Sequence, residues 1–586
     1  MADGHDTTWI VRKSEADADG GMVAAMHPLA AAAGLEILKA GGNAVDAAVA
    51  TAFAIGVVEP FMSGVGGVAA MVFFEAGTGR SVVIDGSSRA PRAAHEDVFD
   101  LEPPGGAAGM YGWRSTVGNA QNVGYRSPIV PGMPAAMLHA LEAYGSGRIT
   151  RQQALAPAIR LAEEGFAVDP YVAATTAFEQ RKLRAFPETM RIFFQEDGTP
   201  FTPGGLSKAP DRLVQADLAR TLRLLAQQGS DVLYHGELGD RLAADLEANG
   251  SLIVRDDLRD YRVRELEPLR AEYRGYTLLG IPQTSGCVTA YQALNVLENF
   301  DLASLGQGSP EAAHLIAEAC RRAFLDRFAY LADPEDVAIP FEGMLSKEYA
   351  RTLAAKIDPN RAAPEAIAGD PWPYGPGGHA SAGALGGAVA DVAPRATGGD
   401  GCTTHLTVVD KDRNVVSLTS TLGEIFGSGV VPRGTGILLN DGMTWFDPQP
   451  GHVNSIESGK RILWAPSPTI VLKDGRPLVG LGAPGGRRIM SAVVQSLVNL
   501  LDFGLGIQDA VSAPRVHCEG PTTQAEGRLG RATLDGLAAR GHHLRVVHED
   551  SQSFSFARPN GIRIDPATNR LTGGVNQHVP AVALGH

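Results

Sequence analysis

The chain has 586 residues, of which 44% are hydrophobic and 20% charged, the proportions of an ordinary globular protein that can bury an extensive core. Its 51 basic and 65 acidic side chains give a formal net charge of −14, which argues against nucleic acids and anionic membranes as partners. The four cysteines lie far apart and form no CxxC pair, so neither a thiolate zinc site nor a disulfide framework is expected.

The beginning of the chain carries no targeting signal that we recognise. Its first twenty residues are polar and acidic, without the basic start and apolar core of a signal peptide. The longest apolar run, around residues 47–58, is too short to span a bilayer and ends at Glu59-Pro60. These features predict a cytoplasmic protein.

The first half of the chain is predicted to be mainly helical. Residues 22–58 read as two helices joined by a glycine turn at residues 41–43. Residues 65–85 alternate as a strand, a glycine-containing turn and a second strand. Residues 130–350 repeat Ala and Leu at helical spacing, and a short strand is expected within residues 270–283.

The second half begins with an abrupt change to β-branched residues at Thr403. The expected strands are 403–409, 415–421, 435–439, 468–472 and 477–481, followed by a helix over about 488–502. Strands combined with many helices in one chain indicate a layered α/β or α+β architecture.

Between the halves lies a segment of unusual composition. Residues 370–401 are rich in Gly, Ala and Pro and nearly free of large apolar side chains. Such a segment cannot offset its ordering entropy by burial, so we predict a flexible tether over about residues 370–402. A loose tether that runs straight into a strand makes sense if the first residue of that strand has to be liberated.

The strand after the tether belongs to a predicted hairpin. Residues 403–421 read TTHLTVVDKDRNVVSLTST, in which apolar residues flank a polar turn centred on Asp412. Residues of this hairpin pair when their numbers sum to 824, which places Thr403 opposite Thr421. Facing Cβ atoms lie about 4.5–5.5 Å apart, so two hydroxyl groups would meet where the strand begins.

A threonine at a new N-terminus carries both groups that amide hydrolysis needs. Its Oγ is the nucleophile, and its α-amino group, with a pKa of about 7.7–8.0, can take up and return the proton. The chain must first be cut between Cys402 and Thr403, by attack of the same Oγ on the carbonyl of Cys402. The alternative is that β-branched residues simply fit strands; the hairpin alone favours that alternative, and the tether shifts the balance only slightly.

Longer motifs decide between these two interpretations. In order, the chain contains HPLAAAAGLEILKAGGNAVDAAVA (27–50), VVEPFMSGVGG (57–67), YTLLGIPQTSGC with LNVLENFDL (276–302), AFLDRFAYLADP (323–334), TTHLTVVDKDRNVVSLTSTL (403–422), FGSGVVPRGTGILLN (426–440) and SPTIVLKDGRP with GAPGGRRI (467–489). With these stretches it resembles the gamma-glutamyltranspeptidases over nearly its whole length. The resemblance implies an α+β fold, the four-layer αββα sandwich of N-terminal-nucleophile hydrolases. It also implies autocatalytic cleavage into a large subunit, residues 1–402, and a small catalytic subunit, residues 403–586, intertwined as one domain.

The resemblance assigns the catalytic residues by motif. Thr403 matches the nucleophile, and Thr421 matches the second threonine that bonds it. Gly485 and Gly486 match the glycine pair whose backbone N–H groups form the oxyanion hole, each donor being worth about 2.7–4 kcal/mol. Without the family, residues 484–486 would be read as a plain turn between a strand and a helix.

The carboxylate-binding arginine of the family has no direct counterpart. Its place in the D-x-R-E-x-A-P stretch is taken by Ser87 in DGSSRAP, residues 85–91. Arg89 follows two residues later, which in a strand returns to the same face, and its fork could hold a carboxylate. A surface arginine without a ligand is the alternative.

Other positions of donor recognition also differ from the family. Gly423 replaces an asparagine. Gly442 and Trp445 replace the glutamine and aspartate that grip the α-amino group. Trp464 and Ala465 replace a serine pair. We expect the two tryptophans to form an aromatic pocket wall, with core packing as the alternative.

The sequence therefore predicts an autoprocessed amidohydrolase or acyltransferase that acts on small gamma-glutamyl or related N-acyl amides, including peptides. The alternatives are a glutaryl- or cephalosporin-type acylase and a non-catalytic binding protein. A pocket without the glutamine and aspartate should not strongly favour gamma-glutamyl donors. No cofactor or metal is expected, because His27, His405 and His517 are isolated in the sequence. Assembly into a higher homo-oligomer stays open.

Overall fold

The computed structural model describes residues 11–103, 113–205, 207–376, 402–551 and 553–586. Most of the predicted tether, residues 377–401, lies outside the described residues. Its first part is described and contains a short 3-10 helix, Trp372–Tyr374.

In this part of the chain the strands are β1 (Ala16–Ala18), β2 (Met22–Ala25), β3 (Val68–Phe74), β4 (Ser81–Gly86), β5 (Phe166–Ala167), β6 (Arg212–Leu213), β7 (Arg264–Leu266), β8 (Leu269–Tyr273), β9 (Tyr276–Gly280), β10 (Cys402–Val409), β11 (Val415–Gly423), β12 (Thr469–Lys473), β13 (Arg476–Gly482), β14 (Val516–Cys518), β15 (Thr522–Glu526), β16 (His543–Val547), β17 (Asn560–Ile564), β18 (Leu571–Val575) and β19 (Val582–Gly585).

The α-helices of the described residues are α1 (Pro28–Lys39), α2 (Ala44–Val58), α3 (Met133–Tyr144), α4 (Arg151–Glu164), α5 (Pro170–Leu183), α6 (Pro187–Phe193), α7 (Ala216–Gln228), α8 (Asp231–Tyr234), α9 (Glu237–Ala248), α10 (Arg255–Arg259), α11 (Gly286–Leu297), α12 (Leu302–Leu305), α13 (Pro310–Tyr330), α14 (Phe341–Leu345), α15 (Lys347–Ala354), α16 (Arg488–Leu501), α17 (Ile507–Ser512) and α18 (Arg531–Ala539). In the ranges described, no helix is both long and apolar enough to cross a bilayer.

Two antiparallel seven-stranded sheets form the centre of the fold. Sheet I has the order β1-β18-β17-β13-β12-β9-β8, and sheet II has the order β19-β2-β10-β11-β3-β4-β7. The sheets face each other where β10 and β11 contact β13 and β17. Helices α1, α2 and α3 pack on sheet II, and α11, α16 and α17 pack on sheet I. The architecture is a four-layer αββα sandwich, which confirms the predicted α+β fold.

The glycine turn near the start of the chain is confirmed. Asn43 caps α2 by accepting hydrogen bonds from the N–H groups of Val45 and Asp46. All residues of α2 are buried, because it lies between α1, α4 and sheet II. A Cβ at Gly34 would lie 2.1 Å from Thr51 Oγ1, so glycine allows α1 and α2 to approach closely.

Both sheets combine strands from before and after Thr403. In sheet I, β8 and β9 precede Thr403, whereas β12, β13, β17 and β18 follow it. In sheet II, β10, β11 and β19 lie among strands from the first part of the chain. The two parts of the chain therefore share one core.

One predicted strand is wrong. Residues 435–439 form a loop whose β-pairing is limited to an isolated bridge between Leu439 and Gly66. Gly434 and Gly436 have φ angles of 70° and 66°, in the left-handed region, and these angles interrupt an extended backbone.

Candidate active site around Thr403

The hairpin that carries Thr403 has the predicted register from Thr404 onward, but the predicted pairing of Thr403 with Thr421 is replaced by a register shift. From Thr404↔Ser420 to Val409↔Val415, paired residues of β10 and β11 have numbers that sum to 824. The register shifts between Cys402 and Thr404, and Cys402 pairs with Gly423. Thr403 therefore lies in a β-bulge, a feature that changes the direction of a side chain.

The hydroxyl groups of Thr403 and Thr421 lie beside the peptide bond that precedes Thr403. Their Oγ1 atoms are 3.1 Å apart. The peptide bond between Cys402 and Thr403 is intact. Both hydroxyls lie within hydrogen-bond distance of the carbonyl oxygen of Cys402. Thr421 Oγ1 also accepts the N–H of Gly423 at 2.9 Å. This arrangement holds a potential nucleophile against a carbonyl group that a second hydroxyl can polarise.

Gly485 and Gly486 form the turn between β13 and α16, with φ angles of 138° and 59°. A Cβ at Gly485 would lie 2.5 Å from the Cα of Ala557, so the close backbone approach requires glycine. Among the described residues, neither glycine N–H has an acceptor in the protein. Two such donors suit an anionic oxygen.

Thr403 and Gly485 line one pocket of about 280 Å³, including its open mouth. The other residues of its wall are apolar or aromatic apart from one acid and one base: Met26, Glu59, Met62, Tyr171, Pro484, Phe554, Phe556 and Arg558. The space beside Thr403 is thus lined mainly by apolar and aromatic side chains, with one carboxyl group and one guanidinium among them.

Glu59 is the acid of this pocket and only 2% exposed. Thr404 Oγ1 lies 3.1 Å from its Oε2. Burial raises the pKa of Glu59 to about 8, an effect that the hydrogen bond from Thr404 and the charge of Arg558 only partly oppose. Sequence reasoning missed Glu59, although a lone acid in the apolar stretch VVEPFMSG is a signal that could have found it.

Arg558 is the positively charged residue of the pocket. Its guanidinium lies over the rings of Phe554 and Tyr171, 4.6 and 5.4 Å from their centroids. It also donates to the Tyr171 hydroxyl at 2.7 Å. These contacts fix the cation against the aromatic wall.

Gly423 and Gly442 occupy positions that neighbouring side chains fill. Gly423 has a φ of 107°, and a Cβ there would lie 1.9 Å from Asp441 Oδ1. A Cβ at Gly442 would lie 2.4 Å from Ile129 Cδ1. The longer residues of the family would not fit at either place unless Asp441 or Ile129 moved.

Asp441 was not singled out from the sequence. It is fully buried and accepts the N–H of Glu424 at 2.9 Å. Burial, followed by the neighbouring charge of Glu424, raises the pKa of Asp441 well above its usual range. Burial thus favours the protonated form of this carboxyl group.

The two tryptophans pack against each other inside the protein. Trp445 and Trp464 are 2% and 1% exposed, and their rings meet edge to face with centroids 6.2 Å apart. Ala465 is also buried. None of the three lines the Thr403 pocket. In this uncleaved form both tryptophans are core residues, and an aromatic pocket wall at these positions stays a prediction.

Arg89 lines a second pocket of about 840 Å³, including its open mouth, which also contains Ser87 and Arg461. Arg89 donates to the carbonyl oxygen of Gly459 at 2.9 Å and contacts Glu335. Ser87 instead meets Arg461, which is 6% exposed and whose Nη1 lies 3.3 Å from Ser87 Oγ. A guanidinium from another part of the chain therefore contacts Ser87, the residue at which the sequence comparison expected the arginine.

The three histidines that are isolated in the sequence all have polar neighbours in the structure. His27 caps α1 and lies 3.3 Å from Asp169. His405 Nδ1 lies 2.9 Å from Thr419 Oγ1, and burial lowers the pKa of His405 to about 3. His517 Nδ1 lies 2.8 Å from Ser491 Oγ. Each fits a structural role.

The fold and the site together define a class. A four-layer αββα sandwich with a threonine at the start of a central strand, paired with a second hydroxyl and facing a glycine turn, has the architecture of the N-terminal-nucleophile hydrolases. The sequence model of the family described as gamma-glutamyltranspeptidase matches residues 30–583. The chain belongs to this family of enzymes.

Its relatives include both acylases and glutathione hydrolases. It is 40% identical over 534 residues to the Acylase ACY 1 proenzyme of Pseudomonas sp. (strain SE83), which covers 91% of this chain and 88% of the relative. It is 37% identical over 517 residues to the Glutathione hydrolase proenzyme of Pseudomonas sp. (strain A14), with coverages of 85% and 82%.

Solved structures show the same two kinds of relative. The cephalosporin acylase from Bacillus halodurans superposes with a TM-score of 0.83 at 29% identity, covering 100% of this chain and 99% of that one. A chain of the gamma-glutamyltranspeptidase of Helicobacter pylori superposes with a TM-score of 0.53 at 31% identity, covering 62% of this chain and 96% of its own.

Proposed function

We propose that the chain cleaves itself between Cys402 and Thr403 and that the liberated Thr403 then hydrolyses or transfers acyl groups from small N-acyl amides. The observation that carries this proposal is the contact of the Thr403 and Thr421 hydroxyls with the carbonyl oxygen of Cys402. Two relatives whose names contain the word proenzyme support it.

Cleavage begins when Thr403 Oγ1 attacks the carbonyl carbon of Cys402. The peptide nitrogen of Thr403 takes up a proton and leaves as an α-amine, which creates an ester between Cys402 and Oγ1. Water hydrolyses this ester and releases the carboxylate of Cys402. The products are a large subunit, residues 1–402, and a small subunit, residues 403–586, which share the two sheets described above.

The same groups then act on the substrate. The α-amine of Thr403 takes the proton from Oγ1 as it attacks the acyl carbonyl, and returns it to the leaving amine. The N–H groups of Gly485 and Gly486 stabilise the oxyanion. The acyl group on Thr403 passes to water or to an acceptor amine. Glu59, whose pKa burial raises to about 8, supplies a proton-exchanging group in the same pocket.

For the acyl donor we propose gamma-glutamyl or related N-acyl amides. A glutaryl- or cephalosporin-type acylase is the second candidate. It is favoured because Asp441 and Ile129 fill the space beside Gly423 and Gly442, where the family's polar grip would lie. A carboxylated acyl group without an ammonium would need no such grip, and Arg89 or Arg461 could bind its carboxylate.

Two chromogenic donors separate these candidates. Purified protein is assayed for release of p-nitroaniline from gamma-glutamyl and glutaryl p-nitroanilides, with Thr403→Ala as the inactive control. Activity on the gamma-glutamyl compound supports the main proposal, and activity on the glutaryl compound alone supports the second. A protein that is uncleaved and inactive on both would be a non-catalytic binding protein, and the proposal would fail.

A further inference from the structure

A group of buried ligand-type side chains lies outside the Thr403 site, where helix α13 meets the residue before β16. His314 and Glu318 are one turn apart on α13, and His542 directly precedes β16. One ligand atom from each lies within 4.8 Å of the others. His314 and Glu318 are 0% and 1% exposed, and His542 is 5% exposed.

The outer nitrogen of each imidazole is held by a neighbour. His314 Nε2 lies 2.8 Å from the carbonyl oxygen of Asp358, and His542 Nδ1 lies 2.9 Å from Thr523 Oγ1. The other two nitrogens, Nδ1 of His314 and Nε2 of His542, face each other at 2.8 Å. A contact of this length is an N–H···N hydrogen bond, so one of the two nitrogens carries a proton that lies between the rings. A hydrogen bond at the outer ring nitrogen, like those to Asp358 and Thr523, orients histidines whose other nitrogen binds a metal.

Glu318 supplies the third ligand-type group. One of its carboxylate oxygens accepts hydrogen bonds, and the other accepts none among the described residues. Its Oε1 contacts the Arg321 guanidinium and accepts the N–H of Ala363 at 3.2 Å. Its Oε2 is buried and has no hydrogen-bond partner among the described residues, and Arg322 Nη2 lies 3.8 Å away. A buried carboxylate oxygen without a hydrogen bond is rare enough to require an explanation.

We propose that His314, Glu318 and His542 bind a divalent transition metal, of which Zn²⁺ is the best match. The ligand atoms are His314 Nδ1, His542 Nε2 and Glu318 Oε2, a set of two imidazoles and one carboxylate that suits Zn²⁺. Binding displaces the proton shared by the imidazoles into solvent. With Zn–N distances of about 2.0–2.1 Å, the two nitrogens must separate by roughly half an ångström.

The nearby guanidinium groups set a limit on the affinity. Arg321 is already bonded to Glu318 Oε1 and to the carbonyl oxygen of Gly520 at 3.0 Å, which directs its charge away from Oε2. Arg322 Nη2 donates to the carbonyl oxygen of Lys356 at 2.7 Å. Their positive charge weakens the binding of a dication, so we expect a site of moderate affinity rather than a permanently loaded one.

The site would connect two distant parts of the chain. His314 and Glu318 lie before Thr403, and His542 lies after it. The metal would therefore tie the first part of the chain to the second, and after cleavage it would bridge the two subunits. Metal binding itself does not depend on the proposed function, because the cluster is formed in the uncleaved chain.

The test uses the full chain, both as wild type and as Thr403→Ala. Each protein is treated with a chelator, dialysed and titrated with Zn²⁺. Bound metal is then measured by elemental mass spectrometry, and thermal unfolding is measured by calorimetry. We expect one Zn²⁺ per chain in both proteins and a higher Tm after loading. If Thr403→Ala alone lost this saturable binding, the proposal would be overturned and the proposed function would stay intact.

Matched variants locate the site. His542→Gln and Glu318→Gln should lose the bound Zn²⁺ and the rise in Tm. His543→Gln, which changes the exposed neighbouring histidine, should keep both. Equal Zn²⁺ binding by His542→Gln and wild type would overturn the assignment.

A spectroscopic measurement on the wild type guards against variants that fail to fold. Co²⁺ in a four-coordinate site of two imidazoles, one carboxylate and one water gives intense visible absorption, whereas Co²⁺ on surface groups gives weak bands. Intense bands that Zn²⁺ displaces with a stoichiometry of one support the proposal. Weak bands only, at any Co²⁺ concentration, would contradict it.

Discussion

The residues on the two sides of Thr403 differ. One group has the arrangement expected for amide cleavage, and the other lies where substrate recognition is expected. On the hairpin side, Thr403, Thr421 and the glycine pair are arranged as amide chemistry requires. On the other side, where the family grips a glutamyl group, two glycines are crowded by Asp441 and Ile129, and two tryptophans are buried. The motifs assigned to the nucleophilic side match the resemblance, whereas the positions assigned to donor recognition depart from it.

This difference teaches that family membership predicts a reaction better than a substrate. A nucleophile needs a few atoms at fixed distances, and these atoms come from the central strands of a rigid sheet. The positions that the sequence resemblance assigns to donor recognition lie mostly in the loops and turns that follow β11 and precede β12. These can change without disturbing the sandwich.

Replacement of the nucleophile should give the largest effect. In Thr403→Ala we expect no cleavage of the chain and a loss of anilide hydrolysis on the order of 10⁴-fold or more, because no other group can form the acyl-enzyme. Electrophoresis and the anilide assay measure both effects. Thr403→Ser retains a hydroxyl and should recover cleavage. If Thr403→Ala is still cut at the same bond, Thr403 is not the nucleophile of processing.

Removal of the second hydroxyl should have a smaller effect. Thr421→Val keeps the shape of the side chain but loses the contacts with Thr403 Oγ1 and the Cys402 carbonyl oxygen. We expect processing to slow by roughly 10²- to 10³-fold, the usual cost of one transition-state hydrogen bond. The rate is followed by refolding the precursor and sampling with time. Thr407→Val, on the neighbouring strand β10, is the control and should process normally.

The tryptophan pair tests the recognition side. If Trp464 is a core residue, Trp464→Ala should lower the free energy of unfolding by about 3–5 kcal/mol and leave the KM for anilides little changed once the protein is folded. Denaturant unfolding and steady-state kinetics measure the two quantities. A large change in KM with little loss of stability would instead show an aromatic wall of the substrate pocket.

Glu59, the acid beside Thr403, should give the smallest effect per pH unit, visible in the pH dependence of stability. Burial raises the pKa of Glu59 from its ordinary 4.5 to about 8, so the folded state holds the proton more tightly than the unfolded state. This contribution is fully present below about pH 4.5 and is lost as the pH rises towards 8. The slope is at most about 1.4 kcal/mol per pH unit.

Glu59→Gln should remove this slope in denaturant unfolding between about pH 5 and 8. Glu549, whose pKa burial raises to about 7, contributes a slope of the same sign and leaves a remainder in the variant. The control is therefore Glu549→Gln, in which the part due to Glu59 should persist. An unchanged slope in Glu59→Gln would show that Glu59 is ionised in the folded protein.

Local patterns in the sequence predicted the parts of the fold that depend on local physics. The polar turn at residues 410–414 sets the hairpin register from Thr404 onward, whereas the bulge at Thr403 was not predicted, although the Thr403 and Thr421 hydroxyls still lie 3.1 Å apart. The strand expected at residues 435–439 failed because the φ angles of Gly434 and Gly436 outweigh the β propensity of the residues between and after them. Propensity alone cannot indicate which glycine adopts a left-handed conformation.

The parts of the site that escaped prediction arise from long-range packing. Glu59 reaches Thr404, and Arg461 reaches Ser87, across 345 and 374 residues of sequence. Asp441 fills the space beside Gly423 only because the loop after residue 440 folds back on β11. No spacing rule connects such residues, since their proximity is a consequence of the assembled sandwich.

The intact mass of the purified wild-type polypeptides tests the central claim most directly. The account predicts two species whose masses correspond to one break, between Cys402 and Thr403, with Thr403 as the free N-terminus of the smaller one. A single uncleaved chain under native conditions, or a break at any other bond, would contradict it.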